Sequence, residues 1–133
     1  MIIADTNLVS YLLIEGERTA AARRVHQKDS DWRLPPLWRS EFLNVLATSV
    51  RASVLDMQQA LSLWWAASDL FRGQEIEPDG DRVLALALER AISAYDAHFV
   101  VLAEALGAPF VTGDLLIVER CPEIAISIDE FAS

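Results

Sequence analysis

The chain has 133 residues, enough for one domain with a sizeable core. Its 53% hydrophobic content and mean hydropathy of +0.24 exclude a disordered chain, and recurring Asp, Glu and Arg leave no apolar run long enough to span a membrane. The net charge of −9 argues against an ordinary nucleic-acid binder with a basic stripe, and the single Cys121 excludes an internal disulfide framework and a cysteine-based zinc site.

Met1-Ile2-Ile3-Ala4 predicts an apolar strand that ends at Asp5-Thr6-Asn7, ahead of the apolar run Leu8 to Leu13. No charged leader precedes this strand, so a cytoplasmic protein is expected. Glu15-Gly16-Glu17 makes a break, and Thr19 to Gln27 predicts a short helix. Arg23, Arg24 and Lys28 lie toward its solvated end, where the helix dipole favours them. His26 is expected at the surface. Trp32-Arg33-Leu34 predicts a second strand, stopped by Pro35-Pro36, and Pro36 suits the start of a helix from Leu37 to Ala52. On that helix Phe42, Val45, Leu46 and Val50 face inward, while Glu41, Asn44 and Thr48 share a polar stripe.

Asp56 caps a further helix with Met57, Ala60, Leu61, Trp64, Ala67 and Phe71 on one stripe. Trp65 falls outside that stripe, so one of the two adjacent tryptophans belongs at an edge or an interface. The high apolar fraction points the same way, to a surface that a partner covers. Glu75-Ile76-Glu77 reads as a weak third strand. Asp79 or Asp81 starts a helix through Arg90 that is apolar almost all round and is expected to be well buried.

The stretch from Ser93 to Asp114 carries the most information. Ser93 suits an N-cap and Asp96 lies three residues on, where a capping acid would sit. Phe99, Val100, Leu102, Ala103 and Leu106 recur at helical spacing. Gly107 and Pro109 end the helix before the β-prone Phe110-Val111-Thr112, which Gly113-Asp114 breaks. A helix feeding a buried strand is half of a parallel βαβ unit. Leu115 to Arg120 is then a short turn or helix, Ile124 to Ile128 a last strand, and Asp129-Glu130-Phe131 a terminal turn. Cys121, beside Pro122 and with no paired base, reads as a packing residue.

Asp5 and Asp114 thus both fall at the carboxyl ends of strands, the edge where open α/β sheets bind ligands. Taken singly, Asp96 is a helix cap, Asp114 a turn acid and Glu41 an exposed helix glutamate. Taken together, four carboxylates within a few ångströms could not all ionise without a counter-charge. Hard divalent cations supply it, and an all-oxygen set selects Mg²⁺ or Mn²⁺ over zinc or copper. Such an ion lets a bound water be deprotonated and directed at phosphorus. Thr6, Asn7 and Thr112 are short polar residues suited to orienting the carboxylates and waters, and Asn44 shares the stripe of Glu41.

The segments IIADTN, EFLNVL and YDAHFVVLAEALGAPFVTGD, in that order over essentially the whole chain, resemble the PIN domain family and, in length, the VapC-type toxins of bacterial toxin–antitoxin pairs. The resemblance implies a single domain over residues 1–133 with a three-layer α/β/α fold and a parallel five-stranded sheet in the order 3-2-1-4-5. It also implies a Mg²⁺-dependent ribonuclease in which Asp5, Glu41, Asp96 and Asp114 match the acids that hold the metal. Thr112 matches the serine or threonine of the strand-end motif and Asn7 the polar residue after the first Asp. An RNA substrate, a small VapB-like antitoxin that reaches the carboxylates with an Arg or Lys, and a homodimer are further implications. One departure is that Leu115-Leu116-Ile117 follows the last Asp where many relatives carry a basic or polar residue. RNA contact would then lean on Arg39, Arg51 or Arg18. His98, two residues past Asp96, is expected to point away from it.

Three other readings compete. A receiver domain needs an adjacent acidic pair after its first strand and a lysine near its last, whereas the sole lysine here is Lys28. A haloacid-dehalogenase phosphatase needs a second Asp where Asn7 stands. The closest rival is a PIN-like module that binds metal or protein but cleaves nothing.

Overall fold

The computed structural model describes residues 1–133 and arranges them as a four-stranded parallel sheet between two layers of helices. In chain order the elements are β1 (Ile2–Ala4), α1 (Thr6–Leu13), α2 (Thr19–Lys28), β2 (Trp32–Arg33), α3 (Trp38–Arg51) and α4 (Met57–Leu70). Then follow α5 (Gly80–Arg90), α6 (Ala94–Leu106), β3 (Phe110–Thr112), α7 (Leu115–Arg120), β4 (Ala125–Ser127) and α8 (Ile128–Ala132).

The strand order is β2-β1-β3-β4, with every pair parallel. β1 is fully buried, as a central parallel strand covered on both faces must be. Its alternation splits the core. Ile2 and Ala4 join Val111 in a cluster with α1, α2, α3, α4 and α8, while Ile3 joins Phe110 and Ala125 in a cluster with α5, α6 and α7.

The expected fifth strand is absent. Glu75 makes one isolated parallel bridge to Leu34, so residues 74–76 lie where the outermost strand of the expected order would run. Leu34 donates to the Gln74 carbonyl at 3.3 Å and Ile76 donates to the Leu34 carbonyl at 3.0 Å. The next donor on that edge would come from Pro36, which has no N–H, and the ladder ends there.

Four other expectations change. β4 is shorter than Ile124 to Ile128, because Ser127 caps α8 by accepting from the Glu130 amide at 3.1 Å, which turns the terminal residues into helix. α5 is amphipathic and not buried all round, since Leu84 and Leu88 are exposed while Val83, Leu86 and Ala87 pack inward. On α4 the stripe is buried only at Ala60, Ala67 and the adjoining Phe71, with Met57 and Leu61 exposed. Trp64 is half-buried and Trp65 is exposed, so the tryptophan pair does straddle an edge. His26 is half-buried, its ring edge-on to Trp32 with centroids 5.4 Å apart.

The helix ends follow their capping chemistry. Ser93 accepts from the Asp96 amide at 3.0 Å, and Gly107 closes α6 at φ +61°, a conformation that glycine adopts without a Cβ penalty. Asp56 and Gln59 form a reciprocal capping box on α4. Cys121 is buried, in keeping with a packing role. No helix is long and apolar enough to cross a membrane.

Candidate active site

All four acids gather in one cleft at the carboxyl edge of the sheet. The cleft, of about 630 Å³, is lined by Asp5, Glu41, Asp96 and Asp114 together with Thr6, Asn7, Ser40, Asn44 and Tyr95, and by Leu37 and Val45. Local structure explains each placement. β1 delivers Asp5 as the N-cap of α1, and β3 delivers Asp114 as the N-cap of α7. Glu41 and Asp96 occupy the first turns of α3 and α6. Four helix N-termini therefore point their positive dipole ends at the cluster, which offsets part of the repulsion among the acids.

Two buried threonines fix the carboxylates. Thr112 Oγ1 donates to Asp5 Oδ2 at 2.7 Å and accepts from the Asp114 amide at 3.0 Å, so one hydroxyl ties both strand ends together. Thr6 Oγ1 donates to Glu41 Oε1 at 2.7 Å, joining α1 to α3. The Asp5 carboxylate also accepts from the amides of Asn7 at 3.4 Å and Gly113 at 3.3 Å.

The electrostatics match a crowded acidic site. Burial pushes the Asp5 carboxyl above its ordinary pKa; hydrogen bonds from Thr112, Asn7 and Gly113 oppose this, and the nearby Asp96 adds to it. Burial likewise raises Glu41, against the Thr6 hydrogen bond, with further increments from Asp5 and Asp96. Asp96 is raised by burial and by Asp114, with the Ser93 hydrogen bond opposing. Each of these three carboxyls thus senses another acid of the set, and no Arg or Lys lines the cleft.

No three acidic, histidine or cysteine side chains form a ready-made cage for one ion. Thr112 and Thr6 hold one oxygen each of Asp5 and Glu41, and Asp114 Oδ1 accepts from the Leu116 amide at 3.0 Å. The donor chemistry still fits a hard cation. Mg²⁺ keeps several waters and takes one or two carboxylates directly, so it needs no closed protein cage. Asp5, Asp96, Asp114 and Glu41 are the residues that would hold it.

Thr6, Asn7 and Asn44 line the cleft as expected, and Thr112 acts from beneath it. Thr48, on the same stripe by spacing, is exposed and does not line it. Ser40 and Tyr95 went unmarked in the sequence. Ser40 lies four residues before Asn44 and shares its helix face, while an exposed tyrosine one residue ahead of a capping-position acid was the available signal for Tyr95. His98 does not line the cleft.

Arg39 is not free to meet RNA. Its guanidinium grips both Glu75 oxygens at 2.6–3.1 Å and lies over the Trp38 and Trp64 rings. Arg51 borders a different feature, an apolar groove of about 380 Å³ between α3 and α4 that includes Leu43, Leu46, Met57, Leu61 and Trp64.

A parallel α/β sheet with carboxylates gathered at its strand ends defines the class of small α/β proteins built around an acidic, cation-fitting cleft. Within that class the chain belongs to the PIN domain family, whose model matches residues 2–119. It is similar to a protein of Pyrobaculum aerophilum named Ribonuclease VapC3, with 24% identity over 126 residues covering 92% of this chain and 96% of that one. The crystal structure of PAE2754 from Pyrobaculum aerophilum superposes with a TM-score of 0.69 at 23% identity, covering 99% of this chain and 96% of that one. The superposition speaks for the fold alone.

Proposed function

We propose that this chain is a Mg²⁺- or Mn²⁺-dependent endoribonuclease, the toxin of a type II toxin–antitoxin pair. The observation that carries the reading is the convergence of Asp5, Glu41, Asp96 and Asp114 in one cleft with no basic residue to neutralise them. Similarity to a ribonuclease of the VapC type over nearly the whole chain supports it.

Asp5, Asp96, Asp114 and Glu41 would hold the cation, which when bound would supply positive charge against the phosphate and acidify water. The protein supplies the rest. Thr112 orients Asp5 and anchors the Asp114 backbone, and Thr6 orients Glu41. Glu41 Oε2 accepts no protein hydrogen bond, which leaves that oxygen free to face the cation or a water bound to it. Asn7, Asn44 and Ser40 offer neutral hydrogen bonds to phosphate oxygens without adding charge to the cleft.

A cytoplasmic setting and a homodimer belong to the same reading, with exposed Leu84 and Leu88 of α5 in support of the latter. The antitoxin is expected to lay an apolar segment in the α3–α4 groove and to send an Arg or Lys to the carboxylates, since an acidic site is best blocked by a cation.

A PIN-like module that binds metal or protein without cutting is the second reading, and the apolar groove between α3 and α4 supports a binding role. Turnover decides between them. Purified protein incubated with RNA should produce discrete fragments in Mg²⁺ and none in EDTA. Fragments undiminished by chelator would remove the metal mechanism, and no fragments from any RNA tested in Mg²⁺ would leave only the binding module.

A further inference from the structure

A polyanion must be held beside a cleft that contains no cation, in a protein of net charge −9. Some basic group outside the cleft therefore has to meet the phosphates flanking the one that is cut. Most candidates are committed elsewhere. Arg39 is clamped by Glu75, Lys28 donates to the Phe131 and Ser133 carbonyls, and Arg90 is paired with Glu123; Arg51 makes no ion pair but lies at the apolar groove and not at the acid cleft.

Arg18 differs from these. It lines two clefts that share Tyr11, each bordered by residues beside the acid cleft as well as by the exposed carboxylates Glu15 and Glu17 or Asp129. One, of about 360 Å³, runs past Ser10 and Tyr11 to Val45, which also lines the acid cleft. The other, of about 210 Å³, brings Tyr11 and Arg18 against Thr112, Gly113 and Leu115. The Arg18 guanidinium carbon lies 5.7 Å from the centroid of the Tyr11 ring. The hydroxyl end of the same ring lies beside Gly113, where an added Cβ would meet Tyr11 Cε2 at 3.7 Å and the hydroxyl oxygen at 3.8 Å. Tyr11 thus bridges Arg18 and the strand end that carries Thr112 and Asp114. Its hydroxyl makes no hydrogen bond within the protein.

We infer that Arg18 and the Tyr11 hydroxyl form a phosphate subsite that holds the RNA strand next to the acid cleft. This rests on the ribonuclease reading above. In the free protein Arg18 pairs with Asp129 at 3.1 Å, with side chains 39% and 71% exposed. A pair so open to water contributes little stability, so its exchange for a phosphate costs little. A guanidinium gains more from a phosphodiester, which it can meet with two parallel N–H donors while the tyrosine donates its O–H to the same group. The ring holds the guanidinium in place through its π face.

The test uses the full chain and a fluorescein-labelled single-stranded oligoribonucleotide of mixed sequence. Binding is followed by anisotropy at stepped KCl in calcium, a hard cation for the same oxygen donors, and cleavage is followed separately in Mg²⁺. Arg18→Gln should weaken binding about tenfold and make the slope of log affinity against log salt shallower by about 0.7, the value for one phosphate on a single strand. Tyr11→Phe should weaken binding about threefold. Asp129→Asn breaks the same ion pair but frees Arg18, so it should bind the RNA as tightly as the wild type or more tightly. Equal losses in Arg18→Gln and Asp129→Asn would show that the pair matters only for local structure and overturn the subsite. A wild-type affinity and slope for Arg18→Gln, in a protein that does cut RNA, would overturn the subsite alone. A wild type that neither binds nor cuts RNA would take the ribonuclease reading down with it.

Discussion

Helix α3 borders two very different depressions. One face, through Ser40, Glu41, Asn44 and Val45, walls the acid cleft, and the other, through Leu43, Leu46, Ala47 and Val50, walls the apolar groove shared with α4. Both are incompletely satisfied in the isolated chain, but in opposite senses. The cleft concentrates charge that burial disfavours, and the groove exposes apolar surface that water disfavours. A cation would relieve the first and an apolar partner the second. One helix thus joins the two, since whatever fills the groove touches the element that carries Glu41.

Four measurements would break or sharpen that contrast. The largest expected effect is on turnover. Asp5→Asn and Asp96→Asn should each lower RNA cleavage by at least about a hundredfold, whereas Leu61→Lys in the groove should leave it within about twofold. If Leu61→Lys were as damaging as Asp96→Asn, the two regions would not be separable.

Metal linkage comes next. At a hundredfold excess of Mg²⁺ over its dissociation constant the wild type should gain about 2.7 kcal/mol, read as a rise in melting temperature. Asp5→Asn, Asp96→Asn and Asp114→Asn should gain much less. Asp79→Asn, which keeps its cap on α5 and lies outside the cleft, should gain as the wild type does. Identical gains in all four variants would mean that the acids do not share an ion.

A smaller effect is expected at the groove. If the groove seats the proposed antitoxin, Leu61→Lys should weaken binding of that partner about tenfold, by burying a charge against Trp64 and Met57. Titration calorimetry would check this, and unchanged affinity would move the partner elsewhere.

The smallest effect concerns pH without metal. Asp5, Glu41 and Asp96 have folded-state pKa values raised above their unfolded ones, so the fold binds more protons than the unfolded chain between the two. Their contribution is best below about pH 4 and is lost as pH rises through the folded values. Asp29 and Glu123 are lowered and act in the opposite sense, at more acidic pH. Melting temperature in EDTA should therefore fall as pH rises from about 4.5 to 7.5, and Asp96→Asn should flatten the fall. Because Asp96 is half-buried, solvent screening keeps this gain at about 1 kcal/mol or below. A melting temperature that climbs steadily over that range would contradict the crowding of the acids.

These effects trace back to features of unequal legibility in the sequence. Ser93, Asp96, Gly107 and Pro109 announce the ends of α6 because caps are local chemistry, and Asp5 and Asp114 are marked by the strands they follow. The bond from Thr6 to Glu41 and the grip of Arg39 on Glu75 span 35 and 36 residues, and nothing in the neighbourhood of either partner signals them. The apolar pattern of α5 could not tell which leucines meet the core, because Leu84 and Leu88 are chemically identical to the buried Leu86. The missing fifth strand was legible in principle. Pro36 removes the donor that would extend the edge ladder, but only pairing with residues 74–76 makes that loss count.

The hydrogen bond from Thr112 to Asp5 joins residues 107 apart. Closing a chain segment of that length costs about 4 kcal/mol from loop entropy before any local gain. The acid cluster is therefore among the last things the chain can assemble, and it exists only while the first and third strands are paired. During synthesis the cluster stays incomplete until the segment through Asp114 has emerged. The groove between α3 and α4 is made of earlier residues, so it is open to a partner while the cleft is still unformed.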